Sequence, residues 1–510
     1  MRRPWLAAVL LCAAGLGAGA WFLGRAARVE QSEPTRLFQQ VLAYVRRYGV
    51  DSLPEGELYR RAADGLLRQL DDEFATLLPE GASLAPEDDD LGGLGMLLST
   101  RDGRVEVIGV LPGSPAARVG LRPGDVLVEV DGLVLDPARR DLLMEALEGP
   151  PGGIVGVRVR RPGITPSATF ELARERSRVI SVSPAVLLDD GIGYVAVQLP
   201  GRGAAEAVEE AVTGLAAQGG RRLILDLRGA SGGDLGEAAD IAGLFLEPGN
   251  LVATVRGKGP EGREVRSRRG PSFPDLPVVV LVDGLTADGA EAIAGALQDH
   301  DRALVVGQPT FGRGFSRESF VLATGLAIRM STESWHTPAG RPIPRDTAFG
   351  RDSLEQRARV PSFGGRELLG GGGIVPDSVL QTDSLSEGER AFLRSVGSSL
   401  AALSAATREV AADLARSTGP GDDFQPGPEA VDRVLAQLTD NGVTVEAELV
   451  PWARSYLTAE LGRAVVAISA GPAAVVRRDA GTDPAIRTAV ELLRKAASAR
   501  ALVFGGAEER

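Results

Sequence analysis

The chain has 510 residues, 44% of them apolar and 24% charged, which is enough length and apolar content for several folded domains and excludes general disorder. A formal charge of −12 excludes nonspecific nucleic-acid binding, which needs clustered positive charge to release counterions. With one cysteine, Cys12, and two histidines, His300 and His336, no internal disulfide and no cysteine- or histidine-rich metal centre is expected, and no cofactor is implied.

Trp5 to Leu23 is an apolar run of 19 residues between Arg2-Arg3 and Arg25, long enough to span a bilayer. Two readings compete for residues 1–30. One is an uncleaved signal anchor, which the continuation Trp21-Phe22-Leu23 favours. The other is a signal peptide cut after the small triplet Ala18-Gly19-Ala20. Leu11 before Cys12 is too large for a lipoprotein processing site. The expectation is an exported, membrane-anchored protein on the periplasmic or extracytoplasmic side of an inner membrane.

Over 35–82 the apolar positions Leu37, Phe38, Val41, Leu42 and Val45, then Leu58, Ala62, Leu66 and Leu70, recur at helical spacing and predict two helices joined near Asp51 to Pro54. A β-rich module is expected over 91–175, entered through Gly93-Leu94-Gly95-Met96 after the acidic patch Glu87 to Asp90. An α/β pattern follows over 183–382: a strand at Gly191 to Val197, a helix at Ala204 to Gln218, a buried strand at Leu223 to Arg228, and further strands at Val278 to Val282, Ala303 to Val306 and Gly325 to Met330. The extension 384–510 reads as mainly helical, with an apolar stripe through Phe392, Val396, Leu400, Leu403, Val410 and Leu414. A Gly/Pro/Asp linker follows at Gly419 to Pro428, and Asp483-Pro484 caps a later helix.

Several strings resemble one family. Glu291-Ala292-Ile293-Ala294-Gly295-Ala296-Leu297-Gln298-Asp299 resembles the S-E-I-V-A-G-A-L-Q-D helix of the C-terminal processing peptidases, or tail-specific proteases, with Ala290 in place of the first serine. Thr310-Phe311-Gly312-Arg313-Gly314 resembles the T-F-G-K-G turn that carries the general base, and Arg313 lies 23 residues after Ala290, as the lysine lies after the serine. Four residues on, Arg317 takes the place of a supporting glutamine. Asp226 to Gly233 resembles D-L-R-N-N-P-G-G, whose glycine backbone contributes to an oxyanion site, and keeps Gly232 and Gly233. Ser334 to Ile343 resembles Y-Y-T-P-S-G-R-S-I, Gly373 to Asp377 resembles G-I-x-P-D, and Gly65 to Asp71 resembles G-M-L-x-x-L-D. Gly113-Ser114-Pro115-Ala116-Ala117, Gly120 to Leu127 and Val130-Asp131-Gly132 resemble the PDZ domain of the same peptidases. The resemblance runs from about residue 35 to 380.

The resemblance implies a multidomain α/β protein: N-terminal helices, a PDZ module, a ClpP/crotonase-like core and a helical extension. It also implies a serine-type peptidase fold without its chemistry. A Ser/Lys pair needs an attacking hydroxyl and a neutral amine. Alanine has no attacking atom, and a guanidinium stays protonated at neutral pH. Only Lys258 and Lys495 remain in the chain, both far in sequence from the motif. The expected partners are polypeptide C-termini or a protein, held through backbone amides at Gly93, Leu94, Gly95 and Met96 while the peptide adds as a strand. Arg313 and Arg317 read either as an anion clamp in a vestigial cleft or as paired surface charge, and the family also allows a homo-oligomer. Two alternatives remain: an active endopeptidase with a displaced nucleophile at Ser231, Thr286 or Ser316, and a small-molecule or lipid carrier, as retinoid-binding proteins with this core are. His300 reads as a structural residue of the Q-D-H stretch.

Overall fold

The computed structural model describes residues 33–505 apart from short internal stretches, the longest being 79–91, 135–146 and 346–356. The run from Trp5 to Leu23 lies outside the described residues. Two compact units divide between Gln69 and Leu70. The first holds helices α1 (Glu33–Tyr48) and α2 (Glu55–Arg68). Arg60 and Arg61 pair with Glu57, and Arg68 with Asp64, one helical turn apart on α2. Leu37, Phe38, Val41, Tyr44, Val45 and Tyr48 form an apolar stripe on α1 that stays exposed.

In the second unit β1 (Thr76–Leu78) precedes the β-rich module. Here the chain departs from the expectation of a helical segment over 35–82, because Thr76 to Leu78 pair antiparallel with Ala327 to Arg329. The module consists of β2 (Gly92–Gly93), β3 (Met96–Arg101), β4 (Arg104–Val110), α3 (Pro115–Val119), β5 (Val126–Val130), β6 (Leu133–Val134), β7 (Ile154–Arg160), β8 (Ala168–Ala173) and β9 (Glu175–Arg176). Its sheet runs β3-β4-β5-β7-β8, which leaves β3 at an edge. Ser114 caps α3 by accepting from Ala117 N at 3.2 Å, Pro115 opens the helix, and Gly120 closes it at φ 87°.

The α/β core comprises β10 (Val182–Leu188), β11 (Ile192–Val197), α4 (Ala204–Ala217), β12 (Arg222–Asp226), α5 (Leu235–Gly243), β13 (Leu251–Arg256), β14 (Arg263–Arg266), β15 (Val278–Val282), α6 (Gly289–Asp299), β16 (Leu304–Gly307), β17 (Phe315–Val321), β18 (Ala327–His336), the hairpin β19 (Arg359–Pro361) and β20 (Glu367–Leu369), and β21 (Ser378–Val379). The central sheet has the order β10-β11-β12-β15-β16-β21, parallel except for β10. A sheet covered on both faces needs apolar residues on both, hence the unbroken Val278 to Val282. Side-chain alternation then sorts the two faces. Leu223, Leu225, Val278 and Val280 pack on α4, α5 and α6, whereas Ile224, Val279 and Leu281 face away from those helices. Strand β18 runs further than its sequence suggests, to His336, because β17 and β13 pair along opposite edges of it.

The extension folds as α7 (Glu387–Val396), α8 (Leu400–Thr418), α9 (Pro428–Asp440), α10 (Val450–Asp479), α11 (Pro484–Lys495) and α12 (Ala499–Phe504). Helix α10 is broken at Gly471, φ 81° and ψ −179°, where Pro472 follows. Before the break Tyr456, Leu457, Leu461 and Val465 share one apolar core with Val157, Phe170 and Leu172 of the β-rich module. After it Val476, with Ala485, Ile486, Ala489 and Leu493 of α11, covers the second face of the central sheet. An 18-residue window within Ala447–Asp479 is apolar enough to cross a membrane, and a third of that window is buried inside the protein.

Candidate active site

Every residue of α6 is buried, and Ala290 in its first turn is fully so. Asp288 immediately precedes the helix with φ 54° and ψ −123°, a conformation that residues with side chains rarely adopt. Glu291 accepts at both carboxylate oxygens: from Asp288 N at 3.1 Å, Thr310 Oγ1 at 2.5 Å, Gly312 N at 2.7 Å and Arg313 N at 2.9 Å. This one buried carboxylate therefore ties the helix start to the turn that carries Arg313. Burial pushes the Glu291 carboxyl up to about 7, against the pull of Thr310 and the Arg313 and Gly312 amides.

The glycine turn approaches from the other side. It leaves β12 at Asp226, which accepts from Tyr194 Oη at 2.6 Å and pairs with Arg228 at 2.6 Å. Gly229, Gly232 and Gly233 then take positive φ. At Gly233 a Cβ would stand 2.1 Å from the Pro200 carbonyl oxygen, so this approach requires glycine. The turn brings Ser231 and Gly232 onto Asp288.

Arg313 is only 8% exposed. Its Nε donates to Asp288 Oδ1 at 2.9 Å, and its Nη2 donates to Asp288 Oδ2 and, at 2.6 Å, to Ser231 Oγ. Gly232 N donates to Asp288 Oδ2 at 2.9 Å, and Ser231 Oγ does so at 3.5 Å. Burial works against the Asp288 anion, yet the Arg313 guanidinium, with Arg317 and the Gly232 amide, holds its carboxyl below the usual range. Arg317 is exposed on β17, opposite Ser331. Asp288 carried no signal in the sequence: its importance depends on a backbone angle and on contacts with residues 56 and 25 positions away.

The three candidate displaced nucleophiles occupy different surroundings. Ser231 receives the Arg313 guanidinium. Thr286 is fully buried and donates to Leu227 O at 2.9 Å inside a turn built on Asp283. Ser316 Oγ accepts from Trp335 Nε1 at 2.9 Å. Lys258 and Lys495 are both exposed. His300 Nε2 meets Leu251 O at 2.7 Å and its ring lies edge-on to Phe363. Arg341, from the stretch Ser334 to Ile343, is buried against Gln298 Oε1 at 2.9 Å and Asp299 Oδ1 at 2.5 Å, so the sequence motif at the end of α6 is held by a second motif. In the β-rich module Leu94, Gly95 and Met96 are buried, Gly93 pairs with Glu175, and the Leu94 and Gly95 carbonyls accept from Ala116 N at 3.0 Å and Ser114 Oγ at 3.4 Å.

Residues 191–348, which span β11 to β18, match the model of peptidase family S41. The carboxyl-terminal-processing protease of Synechocystis sp. is 34% identical over 306 residues, 58% of this chain and 70% of that protein. The chain belongs to the carboxyl-terminal-processing protease family. The family member from Picosynechococcus sp. is 31% identical over 284 residues, 54% of this chain and 68% of that protein. Residues 106–161 match the PDZ domain model, which identifies the β-rich module as this family's PDZ domain. The structure of a photosystem II D1 C-terminal processing protease superimposes with a TM-score of 0.53 at 23% identity, covering 71% of this chain and 98% of that one, and shows the same fold. The fold expected from the sequence motifs is thereby established: helices, PDZ domain, S41 core and helical extension.

Proposed function

We propose that this chain is a proteolytically silent member of the carboxyl-terminal-processing protease family that binds polypeptide C-termini or a protein partner through its PDZ domain. The observation that carries the reading is the pair of replacements at the motif positions: Ala290 is fully buried with no attacking atom, and Arg313 is engaged by Asp288 and Ser231. A guanidinium held beside a carboxylate is protonated at any physiological pH and takes no proton from a nucleophile. Peptide capture is supported by the edge position of β3, which begins at Met96 as the last residue of the Gly93-to-Met96 stretch and where an added strand finds backbone partners. Export and anchoring by Trp5 to Leu23 complete the proposal and place the PDZ domain on the extracytoplasmic side.

Two assays test it. The purified chain, incubated with an unfolded protein that has an apolar C-terminus, is expected to leave it intact, with an Ala290→Ser/Arg313→Lys/Arg317→Gln variant run beside it. Cleavage by the unaltered chain overturns the silent reading. A peptide with an apolar C-terminal residue is expected to bind as the free acid and to lose about tenfold to a hundredfold in affinity when amidated, the range for charge-assisted hydrogen bonds. Equal binding of acid and amide removes the C-terminus reading.

A further inference from the structure

The contacts of Asp288 exceed those of a helix cap. A capping carboxylate accepts from one or two amides of its own helix. This one accepts from the Arg313 guanidinium at both oxygens, from the Gly232 amide and from the Ser231 hydroxyl, groups supplied by two separate loops. The arrangement is that of a receptor for a single carboxylate: a planar guanidinium matching two oxygens, a backbone N–H and a hydroxyl. Gly232 also belongs to the turn whose backbone, by family resemblance, serves the oxyanion site. Asp288 is 6% exposed and Arg313 8%, so no external anion reaches these donors while the Asp288 side chain is in place.

We propose that Arg313, Ser231 and the Gly232 amide form a carboxylate-binding site whose permanent ligand is the chain's own Asp288, which shuts the vestigial cleft. The backbone supports this. An aspartate at φ 54° and ψ −123° is strained where glycine is not, and the side-chain contacts hold it there. Two consequences follow. Of the anion clamp expected from Arg313 and Arg317, the Arg313 half is filled from within, which leaves recognition of external C-termini to the PDZ domain. Restoring serine and lysine at 290 and 313 also leaves a carboxylate lying on the Gly232 amide.

The test uses the full chain carrying Asp288→Gly, a substitution that suits the backbone at this position and deletes a group chemically equivalent to acetate. Acetate at about 0.2 M is expected to raise the folding equilibrium constant of D288G on the order of tenfold, given a dissociation constant of about 20 mM, relative to chloride at equal ionic strength. The unaltered chain and the D288G/R313M variant are expected to show no acetate effect. Where D288G does not fold alone, the yield of refolding in acetate against chloride is the readout. The proposal is overturned by a D288G chain indifferent to acetate in both readouts, by an equal acetate response in the unaltered chain, or by a response that survives R313M. It rests on the reading of the cleft as proteolytically silent, but the readout is anion-dependent stability, so its failure and cleavage by the unaltered chain are separate results.

Discussion

Glu291 follows Ala290 and ties the start of its helix to the turn that carries Arg313. Glu291→Gln keeps one acceptor oxygen and, whichever way it lies, turns an NH2 group towards at least one backbone amide, which is expected to reduce stability by about 2 kcal/mol in urea unfolding. The pH dependence has a definite sign. Folding raises the Glu291 carboxyl from 4.5 to about 7, so the folded chain binds the extra proton between those values, and this group's contribution falls as pH rises through that window. Asp288 acts oppositely: its carboxyl is depressed by folding, and its contribution is lost only as pH falls below the ordinary carboxylate range. Urea midpoints measured from pH 4.5 to 7 are therefore expected to decline less steeply in E291Q than in the unaltered chain, and an unchanged slope would exclude Glu291 as the titrating group. Ala290 and Arg313 were legible in the sequence because motif spacing preserves them. The network around Asp288 was not, since spacing along the chain says nothing of which loops a turn brings together.

At the scale of elements, the helices of the extension were readable from apolar periodicity, whereas their docking site was not, because periodicity gives a buried face without naming what buries it. The structure supplies the partner. Helix α8 lies against the end of α3, where a Cβ on Gly120 would stand 2.7 Å from Ser404 Oγ and 3.0 Å from its Cβ, at a backbone φ of 87°. Gly120→Ala is expected to destabilise by about 2 kcal/mol, combining left-handed strain with displacement of α8. Equal urea midpoints for the variant and the unaltered chain would mean that α8 does not pack there. Arg122 adds an ion pair to Glu460 of α10 at 2.5 Å beside the same contact.

Across the second unit, the extension joins what the sequence presents as separate modules. Arg228, beside the glycine turn, pairs with Asp483 at 2.7 Å, and Asp483 in turn caps α11 through Ala485 N at 2.8 Å and Ile486 N at 3.1 Å. The cap of a helix in the extension is thus fastened to the loop that supplies Ser231 and Gly232. Burial opposes the Asp483 anion, but Arg228 and the two amides hold its carboxyl below the usual range.

The broken helix α10 contributes to both apolar cores, Leu461 and Val465 to one and Val476 to the other. Neither core can lose its order without stripping cover from a stretch of backbone that the other also needs. Melting is then a shared event: calorimetry of the native chain is expected to show one cooperative transition for the residues beyond Leu70, not a PDZ transition followed by that of the core. Two resolved peaks from this region would show that Gly471-Pro472 uncouples the halves of the helix.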